Sequence, residues 1–157
     1  MNKLCCYVLL TLALAMPGQV AAERLLVPMD LSQRNHLKAY GLAFWALERG
    51  VVVEWLLNYR NGAFLMDTHA LIAEEAQIRG VTSTRISAVE VATLYAEIDA
   101  ANMEVMRLEK APKIAVYTPP NSQPWDDAVT MALEYAEIKY DKVWDPEVLE
   151  GKLSEFD

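Results

Sequence analysis

Cysteine is almost missing from this chain of 157 residues: the only two, Cys5 and Cys6, lie within the first six. Around them Met1–Lys3 is a short basic start and Leu4–Met16 an apolar run. Pro17-Gly18 breaks that run, and Val20-Ala21-Ala22 offers small residues ahead of Glu23. This is the pattern of a secretory signal peptide over residues 1–22. The apolar run is short of the roughly 20 residues that span a bilayer. The chain is therefore expected to be exported, periplasmic or secreted. The two cysteines open the apolar run instead of following it, which argues against a lipid anchor. The mature part, from Glu23 onward, has no thiol, so disulfides, thiol nucleophiles and thiolate metal ligands are excluded there.

Other residue types are scarce in ways that matter. There are two histidines, His36 and His69, far apart and outside any His-Glu-x-x-His spacing. No metal site is expected from them. The six glycines are isolated. No Gly-x-Gly-x-x-Gly, Gly-Lys-Ser/Thr or Gly-x-Ser-x-Gly run exists, so no dinucleotide, P-loop or serine-hydrolase motif is present and no cofactor is expected. Positive charge is also in deficit. Loss of the leader removes only Lys3, leaving 13 basic against 22 acidic side chains, a net of −9. Phosphate-backbone binding needs clustered Lys and Arg, so nucleic acid is not an expected partner. After the leader no apolar run is long and charge-free enough for a stable membrane span.

What the chain does have is strand–helix–strand pattern. Leu25–Met29 reads as a buried strand, and Leu37, Tyr40, Phe44 and Leu47 form an apolar helical face that Gly50 ends. Val51–Leu57, interrupted only by Glu54, reads as a strand covered on both sides. The same order recurs over residues 114–144: a strand from Lys113 to Thr118, a stiff Pro119-Pro120-Asn121-Ser122 loop, a helix after Pro124 and a strand at Asp141–Asp145. Units of this length, 25–57 and 114–144, predict right-handed crossovers in a mostly parallel α/β sheet with flanking helices. Between them, helices are expected at 68–80 and 85–110. In the second, Val91, Leu94, Ile98, Ala101, Val105 and Leu108 alternate spacings of three and four. That seam suits packing on the sheet or, alternatively, pairing in a homodimer. Residues 23–157 are expected to form a single domain. Pro146–Leu153 reads as a short helix or turn and a further strand is due after Asp157, so the chain is expected to be the N-terminal part of something longer.

In an open α/β sheet, ligands collect at the loops following the strands. That reasoning selects Asp30 and His36 after the first strand, Asn58 and Arg60 before the Asn61-Gly62 turn, and Asn121 and Ser122 after the later strand. One carboxylate, one imidazole, one guanidinium and several amides and hydroxyls suit a small polar ligand, with Arg60 as the clamp. Plainer roles exist for each: Asp30 or Ser32 as a helix cap, His36 as a packed or solvated side chain, Arg60 as a loop residue.

Two stretches, LLVPMDLSQRNHLKAYGLAFWALERGVVVEWLLNYRNGAFL and KIAVYTPPNSQPWDDAVTMALEYAEIKYDKVWD, resemble exported bacterial proteins labelled asparagine synthetase B. The second also looks like the opening of a class I glutamine amidotransferase-like, flavodoxin-like domain. The resemblance implies that fold. It carries over no catalytic residue: position 2 is Asn2 where glutamine-dependent synthetases use cysteine, and no Ser-Gly-Gly loop is present. Three classes stay open: an enzyme, a non-catalytic periplasmic ligand-binding module, and an interaction module dimerising through helix 85–110.

Overall fold

A computed structural model describes residues 23–157; the expected leader, residues 1–22, lies outside the described residues. Five strands form one sheet: β1 (Arg24–Val27), β2 (Val53–Leu57), β3 (Ala63–Asp67), β4 (Thr84–Ile86) and β5 (Glu104–Leu108). Their order is β4-β1-β3-β2-β5, and every neighbouring pair is antiparallel. The expected mostly parallel, flavodoxin-like sheet is therefore corrected. The helices between these strands are α1 (His36–Glu48), α2 (Ala70–Ile78) and α3 (Ala88–Ala100).

The crossover over 25–57 does exist in part. β1 and β2 both run opposite to β3, hence parallel to each other, but β3 is inserted between them. In the same way β1 is inserted between β3 and β4. This is the split βαβ order of ferredoxin-like sheets. The cause is the short Asn58–Gly62 connection, which can join only antiparallel neighbours. The apolar runs misled for a physical reason: both faces of this antiparallel sheet are covered. Leu25, Val27, Val53, Phe64 and Met66 pack under α1 and α2, whereas Leu26, Leu56, Leu65 and Ile86 pack under α3. Burial on both faces produces continuous apolar strands whatever the strand direction.

The expected helix over 85–110 is instead β4, α3 and β5. Ser87 and Glu90 close a reciprocal capping box, the Ser87 N–H donating to Glu90 Oε2 at 2.7 Å, so the helix starts at Ala88. It ends with Asn102 at φ 52°, while the Met103 N–H reaches back to the Ile98 carbonyl at 3.0 Å. Asparagine takes the left-handed position here, so no glycine punctuates the sequence. Of the seam, Val91, Leu94 and Ile98 are buried against the sheet of their own chain, and Val105 and Leu108 belong to β5. β4 and β5 lie at opposite edges. At about 1.5 Å per residue α3 is long enough, roughly 20 Å, to cross the four strand spacings of about 4.8 Å between them.

Beneath α3, Arg24 Nη1 reaches Glu54 Oε2 at 3.0 Å and the Tyr95 hydroxyl at 2.9 Å, and that hydroxyl donates to Glu54. Burial, followed by the bond to Glu54, pushes the Tyr95 phenol up to about 12. A phenol whose pKa is higher folded than unfolded adds stability that is fully present below the unfolded value of 10.0. That contribution is lost as pH rises through about 12. Tyrosinate absorbance should therefore show a phenol ionising near 12 that Tyr95→Phe removes. A wild-type titration complete near the ordinary value in the folded protein would contradict the cluster.

The remaining chain forms a second, two-stranded sheet. β6 (Ala115–Tyr117) and β7 (Asp141–Val143) pair in parallel, joined through α4 (Ala128–Ala136) and followed by α5 (Asp145–Leu149). The unit over 114–144 is thus a parallel crossover, but Leu26 and Ala115 stand in separate sheets. α4 docks on α1 at Gly41, where a Cβ would stand 1.8 Å from the Ala136 carbonyl oxygen. The Asn35 amide donates to the Tyr135 hydroxyl at 2.6 Å, and Arg79 Nη2 and Lys38 both pair with Glu137. Among the described residues no helix is long and apolar enough to cross a membrane.

Candidate functional site

Four of the six selected residues lie at one end of the five-stranded sheet. The loop after β1 and the β2–β3 hairpin are joined by the Met29 N–H donating to the Arg60 carbonyl at 3.1 Å. Above that bond Arg60 Nε donates to Asp30 Oδ2 at 2.6 Å and Arg60 Nη2 to Ser32 Oγ at 3.0 Å. Asp30 Oδ1 also accepts from the Ser32 N–H at 3.0 Å and its hydroxyl at 2.5 Å. The Arg60 guanidinium, then Ser32, hold the Asp30 carboxyl well below the usual carboxylate range. His36 Nε2 lies 3.1 Å from the Met29 carbonyl. Asn58, exposed, sits in the hairpin at φ 65°, and Arg60 and Asn61 follow at 46° and 62°. Left-handed backbone costs a non-glycine residue about 1–2 kcal/mol, least for asparagine. Arg60 has no such excuse; its carbonyl and side chain are both tied to the neighbouring loop.

Asn121 and Ser122 do not join this group. They occupy the β6–α4 loop of the second sheet, where the Ser122 hydroxyl bonds that of Thr118 at 2.9 Å and Asn121 is exposed. The six selected residues therefore do not form one site on one open sheet, because Asn121 and Ser122 follow a strand of the second sheet. Neither Asp30 nor Ser32 caps α1 either; Asn35 does, its side chain accepting from the Lys38 N–H at 3.1 Å. The bonds of Asp30 are made within the chain, so what the cluster visibly does is clip the loop to the hairpin.

Beside the cluster is Gln33, which residue pattern alone does not single out. It is 5 % exposed and uses every side of its amide. Nε2 donates to the Pro28 and Thr82 carbonyls at 2.9 and 3.1 Å. Oε1 accepts from the Thr82 N–H at 2.9 Å and, more loosely, from Arg34 and Asn35. One buried amide thus joins the loop before α1 to the loop before β4.

A second feature was also outside the selection: an apolar groove of about 400 Å³ where the two parts of the chain meet. One wall is the α1 face carrying Tyr40 and Phe44; the floor is Phe64 and Trp55 of the sheet; Leu108 and Ile138 close the far side. Tyr40 meets Phe64 edge to face at a centroid distance of 5.6 Å, and Trp55 lies 6.4 Å from the same ring. The Trp55 indole N–H is satisfied by the Gly62 carbonyl at 3.1 Å, so the indole brings no unpaired donor to the floor. Tyr40 is 43 % exposed, which leaves its wall open to solvent. Lys110 is the only charged residue of the lining. The size and apolar character fit those of small-molecule sites. The sequence showed the α1 face; it did not show that the link through Lys110–Ile114 runs past it.

Among the described residues no group of three or more His, Cys, Asp or Glu side chains is placed to hold a metal ion. Comparison with protein-family models, with curated proteins and with solved structures finds no match for this chain.

Proposed function

We propose that the mature chain is an exported, non-catalytic binding module whose site is the groove between α1, the sheet and Ile138. The observation that carries this reading is the aromatic wall and floor at the junction of two sheets, where Tyr40 is exposed and Trp55 half-buried beside the buried rings of Phe44 and Phe64. Apolar area that a ligand can remove from water favours association by roughly 25 cal/mol per Å² before the costs of ordering are met. The polar cluster at Asp30 and Arg60 supports the site indirectly, holding the β2–β3 hairpin and with it Trp55 and Phe64.

The test uses the exported chain and a naphthalene-sulfonate dye that fluoresces in apolar sites. Saturable one-to-one binding with quenching of Trp55 is expected, and Tyr40→Ser is expected to weaken it about tenfold by removing one aromatic wall. Trp55→Phe identifies the quenched indole among the four tryptophans. Dye binding that neither variant alters would reject the groove.

A further inference from the structure

The charge at the groove's mouth narrows the class of ligand. Lys110 borders the groove, and its Nζ donates to the side-chain carboxylate of Asp157 at 2.5 Å. The other oxygen of that carboxylate accepts the Lys113 backbone N–H at 2.9 Å, and the Asp157 N–H returns to the Lys113 carbonyl at 3.1 Å. One ammonium and one backbone N–H thus form a cradle already holding a carboxylate, next to Pro112 and Ile114 of the apolar lining. Lys110 is 76 % exposed, so a head group in the cradle keeps contact with water while its tail lies against Tyr40 and Phe44. The hollow that continues from the groove past Phe44 carries Lys113 and Lys139 together with Glu48 and Asp141; Lys139 pairs with Glu48 at 2.7 Å, and Lys113 with Glu155 at 3.5 Å.

We propose that the groove takes an amphipathic carboxylate, an aliphatic chain ending in one carboxylate, whose head displaces Asp157 from the cradle of Lys110 and Lys113. This rests on the groove being a binding site. Apolar walls select the tail, and the cradle selects a planar anion over a neutral or cationic head. Asp157 is then an internal competitor, and its removal tightens binding instead of weakening it.

Calorimetric titration of the full chain with dodecanoate, dodecanol and dodecylammonium, each below its micellar concentration, separates the two levels of the argument. Dodecanoate is expected to bind about tenfold more tightly than dodecanol, the equivalent of one charge-assisted hydrogen bond. Dodecylammonium is expected to be the weakest of the three. Lys110→Ala should erase the preference, bringing dodecanoate and dodecanol to equal affinity in the same variant, and Asp157→Ala should strengthen dodecanoate binding about fivefold, as removal of a competing internal state does. Equal affinity for acid and alcohol, or a preference that survives Lys110→Ala, overturns the carboxylate assignment and leaves the groove standing. Failure of all three probes to bind overturns the groove as well.

Discussion

Replacing Gly41 by alanine is expected to loosen α4 from α1 and to lower stability by about 2–3 kcal/mol. Two effects oppose each other here. Alanine improves on glycine inside a helix by about 1 kcal/mol, so propensity alone predicts a gain. Against it stands a Cβ 1.8 Å from the Ala136 carbonyl oxygen and 2.9 Å from its carbon. Both are backbone atoms and cannot rotate aside. The helices must separate, and the Asn35–Tyr135 bond and the bond of Arg79 Nη1 to the Ala136 carbonyl at 3.3 Å lengthen with them. Arg79 itself is nearly buried, 5 % exposed at its side chain, and pairs with Glu75 at 2.7 Å as well as Glu137. Its partial release adds to the loss. Urea denaturation should report a lower midpoint, and hydrogen exchange should speed up over residues 130–138 while β1 and β3 stay protected. A higher midpoint for the alanine variant would mean that propensity wins and that α1 and α4 do not touch here.

Gln33→Leu is expected to cost about 3 kcal/mol although leucine is of similar volume and prefers burial. The glutamine amide satisfies the carbonyls of Pro28 and Thr82 and the N–H of Thr82, with Arg34 and Asn35 sharing its oxygen. An apolar side chain leaves these backbone groups without a partner in a buried place, and each such group costs about 1–3 kcal/mol unless water enters. The hydrophobic gain of leucine, about 2 kcal/mol at most, does not offset several of them. Thermal unfolding and exchange of the Thr82 amide measure the effect. Leu31→Ala, at a fully exposed neighbour, serves as the control and should stay within about 0.5 kcal/mol. A Gln33→Leu protein as stable as the parent, with Thr82 still protected, would show that the amide network is dispensable.

The grouping of four polar residues at one end of a sheet is legible in the sequence. Asp30, Asn58 and Arg60 follow strands in loops and His36 opens the helix after the first of them, and all four sit at one end of one sheet. That selection needed only strand ends, which apolar runs and the Asn61-Gly62 turn mark well. Asn121 and Ser122 were grouped with them on the further assumption of one sheet, and local pattern carries no information on which strands pair. Gln33 was unreadable because a buried glutamine and a solvated one look alike in a string of residues; only the Pro28 and Thr82 carbonyls around it tell them apart. Two further signals stand in the sequence. Ser87-x-x-Glu90 is a capping box that starts α3 and ends the stretch read as continuous helix. The five residues from Asn58 to Gly62 are too few for anything but an antiparallel connection.

From composition and order alone come the absence of thiol chemistry after Cys6, the acidic balance of charge, the positions of most strands and helices, and the apolar face of α1. These depend on residue type and on near neighbours, which any reading of the chain contains. Strand order, the insertion of β3 between β1 and β2, the second sheet and the groove with its lysine cradle depend on contacts between residues far apart along the chain. Those contacts are chosen by how covered faces and backbone hydrogen bonds can all be satisfied at once, and that choice exists only in three dimensions.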